Sequence, residues 1–326
     1  MLKFLGKRLL NLIPVLIIIT IILFVLLQFM PGDPVNAYLG QGSKTTVEQQ
    51  ERIREKLGLN KSIPEQYFNW LKRTITGDFG SSIRYRKPVN VVMGDYIWNS
   101  FVLNLVSLVI TLLIAIPVGI KSAVKKYGAF DNFWTVFSLV GVGMPSFFFA
   151  LLVIFTIAVP IDFIPLNGMK SAMKAALGYK NIWAEIGDIA IHMILPVLVL
   201  TLISLASLIR YVRNSVIDVI NQDYIRTARS KGLKEKVVIY KHAFRNALIP
   251  IVTLMGLYIP GLFGGAILLE TVFLWPGIGK ILYEAVMNQD IWLVMGANTF
   301  YAVLTLLGNL LADISYAVVD PRIKLE

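Results

Sequence analysis

Six long runs without a charged residue alternate along the chain with more polar segments. The runs are 9–29, 100–120, 132–161, 189–209, 246–269 and 291–312. Each has about 20 residues or more, which at about 1.5 Å per helical residue crosses a hydrocarbon layer of roughly 30 Å. Because a helix satisfies its own backbone hydrogen bonds in lipid, the pattern predicts six transmembrane helices.

Proline and glycine mark special positions within these runs. Pro145 lies inside the third run, where it either packs in an ordinary kink or marks a bend beside a substrate path. The fifth run carries Gly256, Gly261, Gly264 and Gly265. Small residues let helices approach closely, so we expect this run to pack tightly against a partner subunit.

The 30–99 segment is the one connection long enough to build structure outside the membrane. Its residues 46–57 and 64–75 have helical character, and Gly77-Asp78-Phe79-Gly80 is typical of a turn. We expect short helices at the mouth of the bundle or on the membrane surface. Aromatic residues often mark the membrane interface, and we expect that position for Trp70, Tyr85 and Trp98.

Composition agrees with the pattern of runs. The 326 residues are 56% hydrophobic and 16% charged, and the mean hydropathy is +0.68, whereas soluble domains carry about a quarter charged residues. The basic start and first run could suggest a cleaved signal peptide. However, the run exceeds the usual length of about 7–15 residues and no A-x-A-like site follows, so we expect a retained anchor.

Lysine and arginine positions predict the orientation. Of 31 such residues, 17 lie in the segments 1–8, 121–131, 210–245 and 313–326, and four lie in the short loops 162–188 and 270–290. The positive-inside rule then places both termini in the cytoplasm. The net charge of +11 is explained by this topology, so it does not indicate nucleic-acid binding.

Several kinds of chemistry are disfavoured by the residues present. There is no cysteine, which excludes disulfides, cysteine-based zinc sites and thiol catalysis. The two histidines, His192 and His242, fall on opposite sides of the membrane in this topology and cannot share a metal. We expect no catalytic residue and no metal or cofactor site in this chain, and an interfacial position for His192.

The segment between the fourth and fifth runs, residues 213–246, is called the coupling segment below. Residues 210–245 contain nine basic and three acidic residues. Asp223 can cap a helix, Gly232 can turn the chain, and residues 234–246 can form a second helix that leads into the membrane. We expect Ala228 to lie on an exposed helix, where its small side chain allows close contact. On charge alone, the segment is either an ordinary basic loop that contacts anionic lipid or a helix that binds a soluble partner.

A sequence resemblance favours the second interpretation. The run Asp-Tyr-Ile-Arg-Thr-Ala-Arg-Ser-Lys-Gly-Leu at 223–233, with His-Ala-Phe-Arg-Asn at 242–246 and Pro250, resembles the coupling motif of ABC-importer permeases of the dipeptide/oligopeptide type. The family's general motif begins with an acid and an alanine, which Arg226 and Thr227 replace here. Further matching stretches follow in order along nearly the whole chain: Pro31-Gly32-Asp33-Pro34, Gly77-Asp78-Phe79-Gly80, Gly265-Ala266-Ile267, Glu270-Thr271-Val272-Phe273, Trp275-Pro276-Gly277-Ile278-Gly279 and Asp320-Pro321-Arg322-Ile323.

The resemblance implies a type I ABC importer permease in the inner membrane of a prokaryote. Such a permease pairs with a second, homologous permease and contacts two ATPase subunits, an extracytoplasmic solute-binding protein and membrane lipid. ATP and magnesium bind the ATPases, and this chain needs no cofactor. The residues that the resemblance assigns to ATPase coupling are Tyr224, Arg226, Thr227, Ala228, Arg229, Lys231, Gly232 and Leu233.

Glu270, Trp275 and Pro276 lie at the end of the fifth run. We expect either a structural role or a gate or binding-protein contact for them. Gly277-Ile278-Gly279-Lys280 is only superficially similar to a phosphate-binding loop, and the chain has no G-x-x-x-x-G-K-[ST] motif. ATP hydrolysis is therefore assigned to separate subunits.

The predicted organisation is an all-α polytopic protein in four parts. Residues 1–30 hold the N-terminal end and first helix, 31–98 form a helical extracytoplasmic loop, 99–319 form a five-helix core with the coupling segment, and 320–326 form a cytoplasmic tail. Peptides are the expected substrate, with nickel, glutathione or oligosaccharides as alternatives. An ion-driven carrier would need acids deep in the bundle, and the six runs contain none. A membrane scaffold without transport would leave the ordered motifs unexplained.

Overall fold

The computed structural model describes residues 2–30, 32–39 and 46–319. Pro31 of the first turn motif and the 320–326 tail, with its Asp320-Pro321-Arg322-Ile323 motif, lie outside the described residues. The described residues form mostly helix. The α-helices are α1 (Leu2–Gln28), α2 (Pro34–Leu39), α3 (Val47–Lys56), α4 (Ile63–Ile75), α5 (Val89–Val124), α6 (Ala129–Gly143), α7 (Ser146–Val153), α8 (Ala172–Leu177), α9 (Ile182–Ile220), α10 (Asp223–Ser230), α11 (Glu235–Val237), α12 (Phe244–Gly264), α13 (Ile267–Val272), α14 (Ile278–Met287) and α15 (Ile291–Val319).

Five stretches are long and apolar enough to cross a membrane as helices. They are Leu10–Gln28, Val89–Val124, Ile182–Ile220, Pro250–Val272 and Ile291–Ala312. The third predicted span is not one straight helix, because α6 and the helical stretch Ser146–Ala158 meet at an angle of 111°. Counted as one broken span, this pair completes the predicted six.

Pro145 explains the break in the third span. Met144, just before it, has an extended backbone with φ −90° and ψ 128°, the conformation that a following proline imposes. Proline also lacks the N–H that would continue the helix. Beyond α7, the chain forms one π-helical turn at Ile154–Ala158. The third predicted span is therefore sharply bent at Pro145, and a substrate path beside this bend stays a prediction.

Two of the long helices run side by side in the same direction. Ser107 of α5 lies 3.3 Å from Thr201 of α9, hydroxyl to hydroxyl, and further along α5 Gly119 packs against Val212. Helix α12 instead runs antiparallel to α15, with Gly256 beside Ala312. The end of the bundle that carries α10 is called the coupling end below, and the end that carries α3 and α4 is called the loop end.

The glycines of α12 make close contacts within the chain. A Cβ at Gly256 would lie 3.0 Å from Ala312, and one at Gly264 would lie 2.4 Å from the Tyr301 ring. The predicted tight packing is thus confirmed. The prediction that these two glycines pack against a partner subunit is wrong, because they pack against α15 of the same chain. Gly261 has no atom within 4 Å of a Cβ built there, and its contact with a partner stays a prediction.

The loop end folds onto the bundle. Helix α3 begins with a capping box between Thr46 and Gln49, and α4 begins near the predicted position. Trp70 of α4 is fully buried in a cluster with Tyr67 of the same helix and Phe24 of α1. Helix α4 therefore covers the bundle, the first of the two positions expected for it, and Trp70 packs inside the protein. Trp98 is exposed.

Candidate coupling surface and loop-end hairpin

Helix α10 turns one face toward the protein. Its apolar residues Ile225 and Ala228, three positions apart, are buried against Val238 and Ala243 of the following helical stretch. The predicted exposure of Ala228 is wrong, since only 7% of this residue is accessible. Asp223 also differs from expectation, because Gln222 is the N-cap and Asp223 lies in the first turn. Helix α10 is therefore packed against the base of the bundle.

The opposite face of α10 and the following turn are exposed. Tyr224 is 47% and Leu233 40% accessible, and the other exposed residues of this face are Arg226, Thr227, Lys231 and Gly232. The surface is thus basic with an aromatic and an aliphatic side chain at its two ends. It offers both electrostatic attraction and apolar contact area to a partner.

A turn closed by an ion pair follows α10. Gly232 has φ +72°, a left-handed conformation that glycine adopts without strain. Across it, Arg229 donates to both carboxylate oxygens of Glu235, at 2.8 and 3.2 Å. The hydrogen bond from Arg229 lowers the pKa of Glu235, and the same bond raises the pKa of Arg229. Arg229 therefore binds Glu235 of the same chain and stabilises the turn after α10.

After the turn at Gly232, the path into the membrane is continuous helix. Helix α11, the π-helical stretch Val238–Ala243 and α12 follow each other directly. Because Val238 and Ala243 contact the inner face of α10, a force on α10 acts on the base of α12. The predicted helical stretch 234–246 is confirmed, with the π-helical turn as an added feature.

A buried ion pair at the coupling end was not predicted from the sequence. Asp131, in the first turn of α6, accepts from Nη2 of Arg213 on α9 at 2.8 Å and also from Nε of the same guanidinium. The backbone N–H of Tyr127 donates to it at 2.9 Å. The pair fastens α6 to α9 near the coupling segment. The one sequence signal was an acid directly before an uncharged run.

Glu270 is fully buried at the loop end. Its Oε1 accepts from Ser100 Oγ at 2.6 Å and from the Ala266 N–H at 3.1 Å, and its Oε2 accepts from the Lys280 N–H at 2.9 Å. Ser100 Oγ in turn accepts from the Ile278 N–H at 2.8 Å. The carboxylate therefore joins α5, α13 and α14 and caps the amino-terminal turn of α14.

Glycines make room for this carboxylate. A Cβ at Gly277 would lie 2.4 Å from Cδ of Glu270, and one at Gly279 would lie 2.9 Å from Oε2. Gly265 packs against the backbone of Gly279, where a Cβ would approach to 2.5 Å. Packing thus explains why glycine occurs at these positions of the stretches 265–267 and 275–279, which resemble the permease family.

The other two residues predicted with Glu270 also face inward. Trp275 is fully buried, and its Nε1 donates to the Asn99 carbonyl at 3.2 Å. Pro276 is half-buried, and its carbonyl accepts from Asn99 Nδ2 at 2.8 Å. The residue that the turn between α13 and α14 exposes is Leu274, which is 48% accessible and has φ +49°.

A second buried carboxylate orders the segment before α9. Asp188 accepts from the Ser171 N–H at 2.7 Å, from Lys174 Nζ at 2.9 Å and from the Tyr179 hydroxyl at 2.9 Å. Nδ1 of His192 lies 2.7 Å from the Asp188 carbonyl oxygen. His192 is buried within the protein, and its interfacial position stays a prediction. Among the described residues, no group of three or more histidines and acids is placed to hold a metal.

Two family models match the chain. Residues 115–325 match the model described as a binding-protein-dependent transport system inner membrane component. Residues 1–92 match the model for the N-terminal part of such a membrane component.

Proteins that resemble this chain over its whole length are named as permeases of transport systems. The chain is 40% identical over 325 residues to the oligopeptide transport system permease protein AppB of Bacillus subtilis, covering 99% of this chain and 100% of the relative. It is 36% identical over 345 residues to the dipeptide transport system permease protein DppB of Escherichia coli K12, covering 99% of each. It is 34% identical over 324 residues to the glutathione transport system permease protein GsiC of Pectobacterium atrosepticum, again covering 99% of each.

Proposed function

The chain belongs to the family of binding-protein-dependent transport system inner membrane components, and from this premise we propose that it forms half of a pathway through which di- and oligopeptides enter the cell. It is a membrane-embedded permease subunit of an ATP-driven ABC importer and is not itself an enzyme. The observation that carries the proposal is the whole-length similarity to relatives named for oligopeptide and dipeptide transport.

Such a system also includes a solute-binding protein and ATPase subunits. We assign two ATPases and a second, homologous permease to the complete importer, with ATP and magnesium on the ATPases. We place both termini and α10 in the cytoplasm of a prokaryotic cell. The distribution of lysine and arginine supports this orientation.

We assign ATPase contact to the exposed face of α10 and its turn, formed by Tyr224, Arg226, Thr227, Lys231, Gly232 and Leu233. Ala228 and Arg229 act from behind this face. Ala228 seats the helix against the protein, and Arg229 fixes the turn through Glu235. Because α10 contacts the π-helical stretch that leads into α12, and α12 packs along α15, ATPase movement can reach the membrane helices as a rigid-body displacement.

We assign a gate role to the α13–α14 hairpin, in which Glu270 and Trp275 hold the hairpin to α5. Their buried side chains favour this role over direct contact with a binding protein. Exposed Leu274 at the turn is the better candidate for such a contact.

Reconstituted transport tests the substrate class. The complete importer, with its binding protein, is placed in vesicles, and ATP-dependent uptake of labelled dipeptides and tetrapeptides is compared with uptake of nickel, glutathione and an oligosaccharide. We expect peptide uptake that requires ATP. Uptake of one of the other solutes without peptide uptake would show that the substrate class is wrong while leaving the importer assignment intact.

The double variant R226E/K231E tests the coupling surface. Both residues are exposed, so we expect normal membrane insertion but at least a tenfold loss of peptide uptake and of peptide-stimulated ATP hydrolysis. K125E is the matched control, because Lys125 is an exposed lysine at the same end of the bundle outside α10. Uptake at the normal rate in R226E/K231E, or an equal loss in K125E, would contradict the assignment.

A further inference from the structure

A small cavity lined by both apolar and polar residues lies at the coupling end between α5, α6 and α9. Its volume is about 70 Å³, enough for several water-sized groups. The residues that line it include Ser122, Ser138, Trp134, Arg210 and Arg213. The cavity is separate from the α10 surface described above.

Helix packing explains why the cavity exists. Gly119 of α5 and Gly141 of α6 bring both helices close to α9, since a Cβ at either position would lie 2.7 Å from an α9 side chain. Ser122 and Ser138 are each three positions from one of these glycines and therefore lie on the same helix faces. Larger apolar side chains at the two serine positions would fill the gap, whereas the serines leave it open and polar.

The two serine hydroxyls have no hydrogen-bond partner in the part of the chain that the structure describes. Ser122 and Ser138 are almost fully buried, and the Oγ atom of each makes no hydrogen bond to the described residues. A buried hydroxyl without a hydrogen bond is costly, and native proteins rarely leave one so. Two such groups on the wall of one cavity indicate an occupant that accepts hydrogen bonds from both.

The charges around the cavity favour an anion. Arg213 and the Tyr127 N–H already saturate the Asp131 carboxylate, so this pair contributes no net charge. Arg210 lines the cavity and its side chain is exposed at the surface. The wall therefore presents a guanidinium and two hydroxyl donors, the groups that bind phosphate oxygens.

The surroundings are typical of the headgroup level of a membrane. Trp134 lines the cavity, and Nζ of Lys121 lies 4.2 Å from the ring centre of Phe130 on the adjoining helix. Aromatic and basic residues gather at this level, and basic pockets between membrane helices bind acidic headgroups. We propose that this cavity binds the phosphate group of an anionic phospholipid. Free inorganic phosphate offers the same chemistry and is the alternative source.

Lipid binding to the complete importer tests the site. The purified complex is titrated with phosphatidylglycerol, and bound lipid is counted by native mass spectrometry for the wild type and for S122A/S138A. We expect roughly a tenfold or greater loss of affinity at one site per chain, because two hydrogen bonds to a charged group are removed. The matched control is T156A/S207A, which deletes two exposed hydroxyls that donate to carbonyls of their own helices.

Further measurements separate the remaining outcomes. If S122A/S138A does not assemble, R210Q replaces it, and the same loss of phosphatidylglycerol is expected. Inorganic phosphate at millimolar concentration should fail to displace the lipid; displacement would overturn the lipid assignment in favour of the free ion. Equal lipid binding by wild type and variant would overturn the site itself and leave only water in the cavity. Since lipid is counted without transport, the result is independent of the substrate.

Discussion

The substitution E270Q should strongly destabilise the loop end, although it changes the shape of the side chain very little. The carboxylate faces three donors: the Ser100 hydroxyl and the N–H groups of Ala266 and Lys280. The proton of Ser100 must point to Glu270, because its oxygen accepts from the Ile278 N–H. The site therefore requires an acceptor at both carboxylate oxygens, and glutamine supplies only one.

The cost follows from the bonds that are lost. If the amide oxygen keeps the bonds to Ser100 and Ala266, the NH₂ group faces the Lys280 N–H, and two donors are left unsatisfied. An unsatisfied donor inside the protein costs about 1–3 kcal/mol, so we expect a loss of about 2–6 kcal/mol. In the opposite orientation, the NH₂ group faces Ser100 and Ala266, so the bonds from both of these donors are lost and the cost is no smaller.

Thermal unfolding of the purified importer measures this loss. We expect E270Q to lower the apparent Tm by several degrees and to reduce peptide uptake, because the hairpin is no longer fixed to α5. T271A is the control, since Thr271 is the neighbouring residue and its hydroxyl donates to the Ile267 carbonyl of its own helix. An E270Q variant as stable as T271A would show that the site does not need two acceptors, and the capping argument would be refuted.

Two further stability predictions use the same assay. G277A should cost about 2–3 kcal/mol, because the new Cβ would lie 2.4 Å from Cδ of Glu270 in a packed interior. G94A, at an exposed position of α5 with no atom within 4 Å of its Cβ, should be neutral or slightly stabilising, and equal effects would contradict the packing argument. D131N should cost about 3–5 kcal/mol, because it leaves the Arg213 guanidinium without its buried partner. The double variant D131N/R213Q should recover part of that loss, and a purely additive result would argue against the pair.

The sequence predicted the parts of the fold that depend on local physics. Span lengths follow from the hydrocarbon thickness, and the start of α3 follows from the local capping box at Thr46. The inward face of α10 could also have been found, because Ile225 and Ala228 are three positions apart and form the apolar side of an otherwise polar helix. The same spacing on α4 relates Tyr67 to buried Trp70.

Contacts between distant segments could not be predicted in this way. Asp131 and Arg213 meet because α6 packs on α9, and nothing in either local sequence specifies the other. From the sequence, Glu270 was expected at the end of a membrane span. Its burial could not be predicted, because it depends on how α13 and α14 pack against α5. Its three donors come from α5 and from backbone groups, which carry no sequence signal.

The distribution of buried polar groups suggests how the permease can move. Carboxylates are buried at the ends of the bundle, with Asp131 at the coupling end and Glu270 at the loop end. Near the middle of α5, the contact to α9 is a weaker hydroxyl pair, Ser107 and Thr201, at 3.3 Å. Helix α5 is fastened to the hairpin through Glu270 at one end and packed against α9 through Gly119 at the other. Because bonds to charged groups are roughly twice as strong as neutral ones, we expect α5 to move together with the hairpin and α6 to move together with α9, with the Pro145 break as the more flexible joint.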